Sequence, residues 1–196
     1  MYNCSNCKSN VCYQGKDCAK GYDFSDAATK ARNIYEQEED NKILTVAGRI
    51  EVEHYMKYTR LEEIMEFCRL MEYRKIGIAS CVGLSAEADI LTKILSKEFE
   101  VHSVCCKNGG INKDDYGIPH LKKERYEATC NPAGQAEVLN SIGTDINLIV
   151  GLCVGHDILF SKYSKAPCTT FIVKDRVLAH NPAAAIYSNY YKRKLL

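Results

Sequence analysis

Apolar residues in the first third of the chain recur at the spacing of an α-helix. They return every three or four residues over 43–58, and the same pattern repeats over 61–73. A stretch rich in helix-forming residues over 27–38 precedes them, with Ser25 in position to cap its start. The pattern therefore predicts a helical segment over residues 23–74, which we expect to pack on the main domain.

After residue 74 the pattern changes to short apolar runs separated by stretches of helical length. Strands that alternate with helices of this length need crossover connections, which produce a mostly parallel sheet. We therefore expect an α/β fold over residues 75–196, a Rossmann-like open sheet of about four or five strands flanked by helices. The predicted strands lie at 75–80, 99–105, 147–152 and 169–173, with a short return at 177–180, and the predicted helices lie at 85–97, 131–142 and from 156 to about 163.

The first 22 residues have almost no apolar side chains, so this segment cannot fold by burial alone. They contain four thiols within 15 residues, which is the pattern of a knuckle folded by a metal ion. The spacing matches neither the bacterial ferredoxin run nor an ordinary zinc ribbon, so a second iron–sulfur cluster and zinc both stay open, and disulfide pairing is the alternative. The four candidate metal ligands are Cys4, Cys7, Cys12 and Cys18.

The amino-acid composition limits the classes of protein to which this chain can belong. The 26 Lys and Arg residues nearly balance the 25 Asp and Glu residues, so a nucleic-acid or membrane-surface partner is not expected. The N-terminus lacks the basic and apolar regions of a secretory signal, and no apolar run is long enough to span a membrane. We therefore expect a cytoplasmic protein, in which the 11 cysteines stay reduced and serve as metal ligands or catalytic groups.

Cysteines outside the N-terminal segment fall where the predicted strands end. Cys81 follows the first strand, Cys105 and Cys106 close the second, Cys153 follows the third, and Cys130 precedes a helix. The carboxyl ends of parallel strands share one edge of the sheet, where such folds bind their ligands. The sequence therefore predicts a shared thiol site at this edge, with either residue of the Cys105–Cys106 pair as its member.

Widely separated single thiols on a rigid edge favour an iron–sulfur cluster, such as a 4Fe-4S cluster, over zinc, which usually uses paired cysteines. His156 and Asp157 directly follow Cys153 and are the candidate catalytic residues, His156 as a proton donor to a bound substrate. Their alternative role is to cap the helix that starts there. Cys68 and Cys168 occupy positions that predict packing in the core.

Motifs of several enzyme classes are absent from the sequence. It has no phosphate-binding loop with the Gly-Lys-Ser/Thr ending, which argues against a nucleotide triphosphatase. It also lacks the Gly-x-Gly-x-x-Gly fingerprint of dinucleotide sites and the Gly-x-Ser-x-Gly elbow of hydrolases.

Seven blocks of this sequence together carry a resemblance to a known family. The blocks are Ile76-Gly-Ile-Ala-Ser-Cys-Val-Gly-Leu, Val104-Cys-Cys-Lys, Cys130-Asn-Pro, Gln135-Ala-Glu-Val-Leu-Asn, Gly151-Leu-Cys-Val-Gly-His-Asp, Lys174-Asp-Arg-Val-Leu and His180-Asn-Pro. They resemble the bacterial and archaeal family called domain of unknown function 1847. The resemblance extends over nearly the whole chain, the N-terminal cysteines included. It implies metal binding and an occurrence largely among anaerobes, and it supplies no reaction.

Two functions from different classes follow. The first is an iron–sulfur protein of redox or sulfur metabolism, whose partners are an electron carrier or a small-molecule substrate. The alternative is a non-enzymatic zinc-binding module that binds a partner or small ligand. Thiol catalysis by Cys153 or Cys81 without metal is a third hypothesis, and self-association into a homo-oligomer is compatible with all three.

Overall fold

The structure, a computed structural model, describes residues 2–196. The chain divides into two compact units, with the boundary between Tyr58 and Thr59. The first unit contains a 3₁₀ turn at Val11–Gln14 and the helices α1 (Ser25–Tyr35) and α2 (Glu38–Glu53). Most of its side chains are exposed, and Ile50 of α2 is buried.

The second unit is an α/β fold around four parallel strands in the order β2-β1-β3-β4. This confirms the fold class expected from the sequence. The short return expected at 177–180 is a turn rather than a strand. The elements are α3 (Arg60–Met71), β1 (Lys75–Ser80), α4 (Ser85–Leu95), β2 (Glu100–Cys105), α5 (Pro132–Ile142), β3 (Ile146–Val150), α6 (His156–Tyr163), β4 (Cys168–Ile172), α7 (Ala184–Tyr187) and α8 (Asn189–Leu195).

The strand order creates a crevice at the carboxyl edge of the sheet. The chain leaves β1 toward β2 on one side and leaves β3 toward β4 on the other. Loops that depart in opposite directions open a crevice between them, which is where open α/β sheets bind ligands. Cys81 lies in the loop after β1 and Cys153 in the loop after β3, so thiols stand on both sides of the crevice.

The core has one apolar layer on each face of the sheet. One layer combines residues of β1 and β3 with buried side chains of α3 and α4, among them the fully buried Cys68. Burial raises the pKa of the Cys68 thiol to about 12, so this side chain stays neutral and packs as an apolar group. The other layer includes Phe160 of α6 and Leu139 of α5, and it reaches the buried thiols Cys81 and Cys106.

Gly77 of β1 lies opposite Asn147 of β3 in the sheet register. A Cβ atom on Gly77 would lie 1.9 Å from the Asn147 Oδ1 atom. The Asn147 amide is itself fixed, because its Oδ1 accepts a hydrogen bond from Thr144 Oγ1 at 2.8 Å and its Nδ2 donates to Ser164 Oγ at 2.8 Å. The missing side chain at Gly77 therefore makes room for a buried polar network at the centre of the sheet.

A long loop after β2 carries the chain to Cys130. Its two ends pair through a bridge between Asn112 and Ala128. Inside the loop the Glu127 carboxylate accepts a hydrogen bond from Lys113 Nζ, and also from the backbone N–H groups of Leu121 at 3.1 Å and Lys122 at 2.8 Å. These contacts, the Lys113 hydrogen bond foremost, lower the pKa of Glu127 to about 2.

Acidification is expected to loosen this loop. An acid whose pKa is depressed by folding stabilises the fold above its unfolded pKa of about 4.3, and that contribution is lost as the pH falls toward 2. The protection of amides in the segment 112–128, taken relative to the intrinsic exchange rate at each pH, should therefore decrease between about pH 4.3 and 2. Glu127→Gln should exchange fast already at neutral pH, whereas Glu124→Gln, at an exposed position of the same loop, should behave like the wild type. Unchanged exchange in Glu127→Gln would contradict this role.

None of the helices in the described part of the chain combines the length and the apolar character that a membrane span requires.

Candidate functional site

Cys106 and Cys130 form the centre of the site, with their sulfurs 3.7 Å apart. Cys106 directly follows β2, and its N–H donates to the carbonyl of Ser80 at the end of β1 at 2.9 Å. Its own carbonyl accepts a hydrogen bond from the N–H of Asn131 at 2.8 Å. The backbone therefore fixes the loop that carries Cys130 directly against the strand end that carries Cys106.

Side-chain amides hold the same two chain segments together. Asn131 caps α5 by accepting from the Gly134 N–H at 2.9 Å, and its Nδ2 donates to Asn108 Oδ1 at 3.0 Å. The fully buried Gln135 donates from Nε2 to the carbonyls of Ser80 and Val104, at the ends of β1 and β2. The sequence predicted the helix start at Asn131 but not the roles of Asn108 and Gln135. In the sequence Asn108 is only a polar residue in a turn, and Gln135 is only a polar residue on an apolar helix face.

Cys81 joins this pair from the loop after β1. It is 7% exposed, and the N–H of the following residue, Val82, donates to Cys106 Sγ at 3.3 Å. Cys81 and Cys106 also belong to the same cluster of buried side chains. Three loops thus bring buried or half-buried thiols to one place.

Cys153 meets a guanidinium group on the opposite side of the crevice. Arg176, in the turn after β4, donates to Cys153 Sγ at 3.0 Å, and this hydrogen bond raises the pKa of Arg176. The charges of Cys81 and Cys130 also raise the pKa of Arg176. Arg176 was not among the site residues predicted from the sequence. Its position after the last strand, which places it at the same edge of the sheet, is the feature that could have identified it.

The Cys106–Cys130 pair shares one negative charge unequally. The pKa of Cys130 is lowered, chiefly by its hydrogen bond with Cys106 and further by the positive charge of Lys107. The pKa of Cys106 is raised by the same hydrogen bond and by burial. Because two thiolates this close repel each other, the favoured state of the metal-free pair is a Cys130 thiolate beside a protonated Cys106.

Among the remaining predicted residues, Cys105 is exposed, and its sulfur lies 3.5 Å from the N–H of Lys107. The structure therefore brings Cys106, rather than Cys105, beside Cys130. His156 is the first residue of α6, and its backbone N–H donates to the carbonyl of Cys153 at 2.8 Å. Asp157 lines a separate open groove of about 500 Å³ that also includes Ser161 and Thr170. Cys168 is half-buried, and burial raises its pKa.

The N-terminal thiols belong to the first unit. Cys4 and Cys7 are linked by a turn in which the Cys7 N–H donates to the Cys4 carbonyl at 3.0 Å. Hydrogen bonds from the backbone N–H groups of Asn10 and Ser9 lower the pKa of Cys7. The sulfur of Cys18 accepts from the Lys20 N–H at 3.4 Å. Cys12, in the 3₁₀ turn, is exposed.

All 11 cysteines are free thiols. Within residues 2–196, His, Cys, Asp and Glu side chains do not assemble in groups of three or more that could hold a metal ion. The donor chemistry of the edge nonetheless suits a thiophilic metal, since two sulfurs are already in contact and two further thiols flank them.

Comparisons with known proteins identify relatives of this chain. Residues 19–171 match the family model described as Protein of unknown function (DUF1847), a range that contains every cysteine of the edge and leaves the first four cysteines outside. An uncharacterized protein of the archaeon Methanocaldococcus jannaschii is 62% identical over 193 residues, which cover 98% of this chain and 97% of the relative. The chain therefore belongs to the DUF1847 family.

Proposed function

We propose that this protein binds a redox-active metal centre at the carboxyl edge of its sheet and works in cytoplasmic redox or sulfur metabolism. The ligands would be Cys81, Cys106, Cys130 and Cys153, and the centre would be an iron–sulfur cluster. The observation that best supports metal binding at this edge, whichever the metal, is the approach of two sulfurs from separate loops, Cys106 and Cys130, to 3.7 Å. The iron–sulfur assignment rests on the wide separation of the single thiols along the sequence, since zinc usually takes paired cysteines. Thiols that merely pack as apolar groups, such as Cys68, have no reason to converge on a ligand-binding crevice.

The charges around the edge also favour a thiolate centre. Four thiolates around a divalent ion or a cluster leave a net negative charge, which nearby cations would offset. Lys107, Lys174 and Arg176 lie at this edge, and within the described chain none of them is ion-paired with a carboxylate. Lys174 Nζ and Cys81 Sγ both lie within 4 Å of the point where Gly83 would carry a Cβ atom, so this cation stands beside a proposed ligand.

A bound iron–sulfur cluster would supply one-electron transfer or, with one iron left open, Lewis-acid chemistry toward a substrate. The residues of this chain would hold and tune it. Arg176 would donate to the Cys153 sulfur, and the Val82 N–H to the Cys106 sulfur, as they do in the structure. His156 would be the proton donor at this edge, because its backbone N–H donates to the carbonyl of the proposed ligand Cys153 at 2.8 Å.

A second metal centre is proposed for Cys4, Cys7, Cys12 and Cys18. Its support is the hydrogen bonding of the sulfurs, since Cys7 accepts from two backbone N–H groups and Cys18 from one. Backbone N–H groups that point at sulfur stabilise a thiolate, which is the form that binds metals. Zinc and a second iron–sulfur cluster both suit this ligand set.

A zinc-binding module without enzymatic activity is the second candidate function, and one distance favours it. With zinc–sulfur bonds of about 2.3 Å, two ligands of one tetrahedral ion lie about 3.8 Å apart. The 3.7 Å between the Cys106 and Cys130 sulfurs matches this spacing. Two cysteines that each bind a different iron of a cluster would be held farther apart.

Metal analysis of protein purified without oxygen tests both functions. We expect iron together with acid-labile sulfide, and a visible absorption band that bleaches on reduction, because iron bound by thiolates absorbs visible light. Colourless protein with zinc at both sites would instead identify the zinc module, since zinc has a filled d shell. Protein that binds neither metal after anaerobic reconstitution would overturn the proposal.

A further inference from the structure

We propose that Cys106 and Cys130 act, in the metal-free protein, as a redox-active dithiol that exchanges with disulfides of small thiol compounds. The inference goes beyond metal binding and does not depend on it, because the geometry that carries it is the contact of two unligated sulfurs. These sulfurs are 3.7 Å apart, and a disulfide bond is about 2.0 Å long, so about 1.7 Å of combined sulfur movement would join them.

The backbone around the pair holds the two residues in place for this step. The Cys106 N–H is bonded to the Ser80 carbonyl, and the Cys106 carbonyl to the Asn131 N–H, directly after Cys130. The amide groups of Asn108 and Asn131 add a second connection between the same segments at 3.0 Å. Preorganised neighbours lower the entropy cost of closing the bond, although the residues are 24 positions apart in sequence.

The two sulfurs differ in a way that assigns their roles. Cys106 is 1% exposed and accepts a hydrogen bond from the Val82 N–H at 3.3 Å. Cys130 is half-buried, and the Lys107 side chain lies nearby, where its Nζ donates to the carbonyl of Ala128 at 2.6 Å, two residues before Cys130. A substrate from solvent therefore reaches Cys130 first, so Cys130 is the residue that attacks it. The more deeply buried Cys106 is the resolving residue, which attacks Cys130 in the second step.

The exchange takes place in two balanced steps. The Cys130 thiolate attacks one sulfur of the small disulfide, so that a protein–substrate disulfide forms, the substrate S–S bond breaks, and the leaving thiolate takes up a proton. Cys106 then loses its proton and attacks Cys130 Sγ, which releases the second substrate thiol. Two protein thiols are oxidised to one disulfide and one substrate disulfide is reduced to two thiols, and excess low-molecular-weight thiol reverses the exchange.

The experiment uses the full chain, stripped of metal by a chelator, reduced and desalted without oxygen, with oxidised glutathione as the disulfide probe. We expect peptide mapping to find a Cys106–Cys130 disulfide. Cys106→Ser should instead accumulate a stable glutathione adduct on Cys130, formed at least about tenfold faster than any adduct on Cys68. Cys130→Ser should form neither product at this site, and Cys105→Ser should form the disulfide as the wild type does.

Each possible outcome either supports or contradicts the proposed dithiol. A glutathione adduct that accumulates on Cys106 rather than Cys130 would reverse the roles and overturn the inference, as would a disulfide from Cys105 or Cys81 to Cys130. Circular dichroism of each variant confirms that the site was tested in folded protein. A protein that binds no metal can still form the Cys106–Cys130 disulfide. A protein that forms no disulfide when metal is removed can still bind metal. The metal-binding proposal and the dithiol proposal are therefore tested independently.

Discussion

Serine in place of Cys130 is expected to empty the metal centre at the carboxyl edge while leaving the fold intact. Cys130 supplies one of the two sulfurs that lie 3.7 Å apart, and a serine hydroxyl stays protonated and binds thiophilic metals poorly. Changes to groups that merely orient a ligand cost tenfold to a hundredfold in metal affinity, so loss of the ligand itself should exceed about a hundredfold. The measurement is metal per chain after anaerobic reconstitution, with a competing chelator to rank affinities.

Cys105→Ser is the matched control for this variant. Cys105 precedes Cys106 directly but is exposed, so its replacement should leave the metal content of the edge unchanged. The serine variants of Cys81, Cys106 and Cys153 should behave like Cys130→Ser, because all four thiols would serve one centre. Full metal occupancy in three of these four variants would contradict a shared site, and equal loss in Cys105→Ser would indicate a general thiol effect.

Gly77→Ala is expected to cause a large loss of stability, because the added methyl group has no room at the centre of the sheet. The new Cβ atom would lie 1.9 Å from Asn147 Oδ1 and 2.9 Å from Leu139 Cδ1, on the central strand pair. Asn147 cannot turn away without breaking its bonds to Thr144 and Ser164. Overpacking typically costs about 1–3 kcal/mol and a disrupted buried hydrogen bond about 1–3 kcal/mol more, so we expect a loss of about 2–6 kcal/mol.

Hydrogen exchange measured peptide by peptide checks this expectation, because it separates the two units of the chain. Protection should fall across β1 and β3 in Gly77→Ala. Gly48→Ala is the control, since a Cβ atom there meets nothing within 4 Å and alanine favours a helix by about 1 kcal/mol over glycine. Protection in α2 should therefore stay equal or rise. Unchanged protection of β1 in Gly77→Ala would mean that the Asn147 network is not rigid.

The fold class followed from the sequence because apolar runs and connection lengths report directly on buried parallel strands. The predicted ends of the helices were less accurate. The second helix was expected over 43–58 and spans Glu38–Glu53. It starts earlier because the acidic residues of its first turn interact with the helix dipole, a contribution that apolar periodicity does not register. It ends earlier because the chain turns at Met56, which adopts a positive φ of 58°.

The convergence of thiols followed from topology, but the members of the site did not. Neighbouring residues at a strand end point in opposite directions, so only coordinates distinguish the buried Cys106 from the exposed Cys105. Arg176 was missed for a related reason, because it contacts Cys153 from a turn whose path depends on the whole sheet. The sequence is informative about which loops meet, and packing decides which atoms meet.

The two groups of thiols also differ in when they can come together during synthesis. The four N-terminal cysteines lie within 15 residues, so they leave the ribosome first and need no other part of the chain to meet. The edge thiols meet only after β3 has been made and has paired beside β1, which brings Cys153 across the crevice from Cys81. If both proposed centres form, metal present during translation would bind the N-terminal cysteines early, whereas the edge would take up metal only after folding. Overproduction in metal-poor cells is then expected to leave the edge empty first.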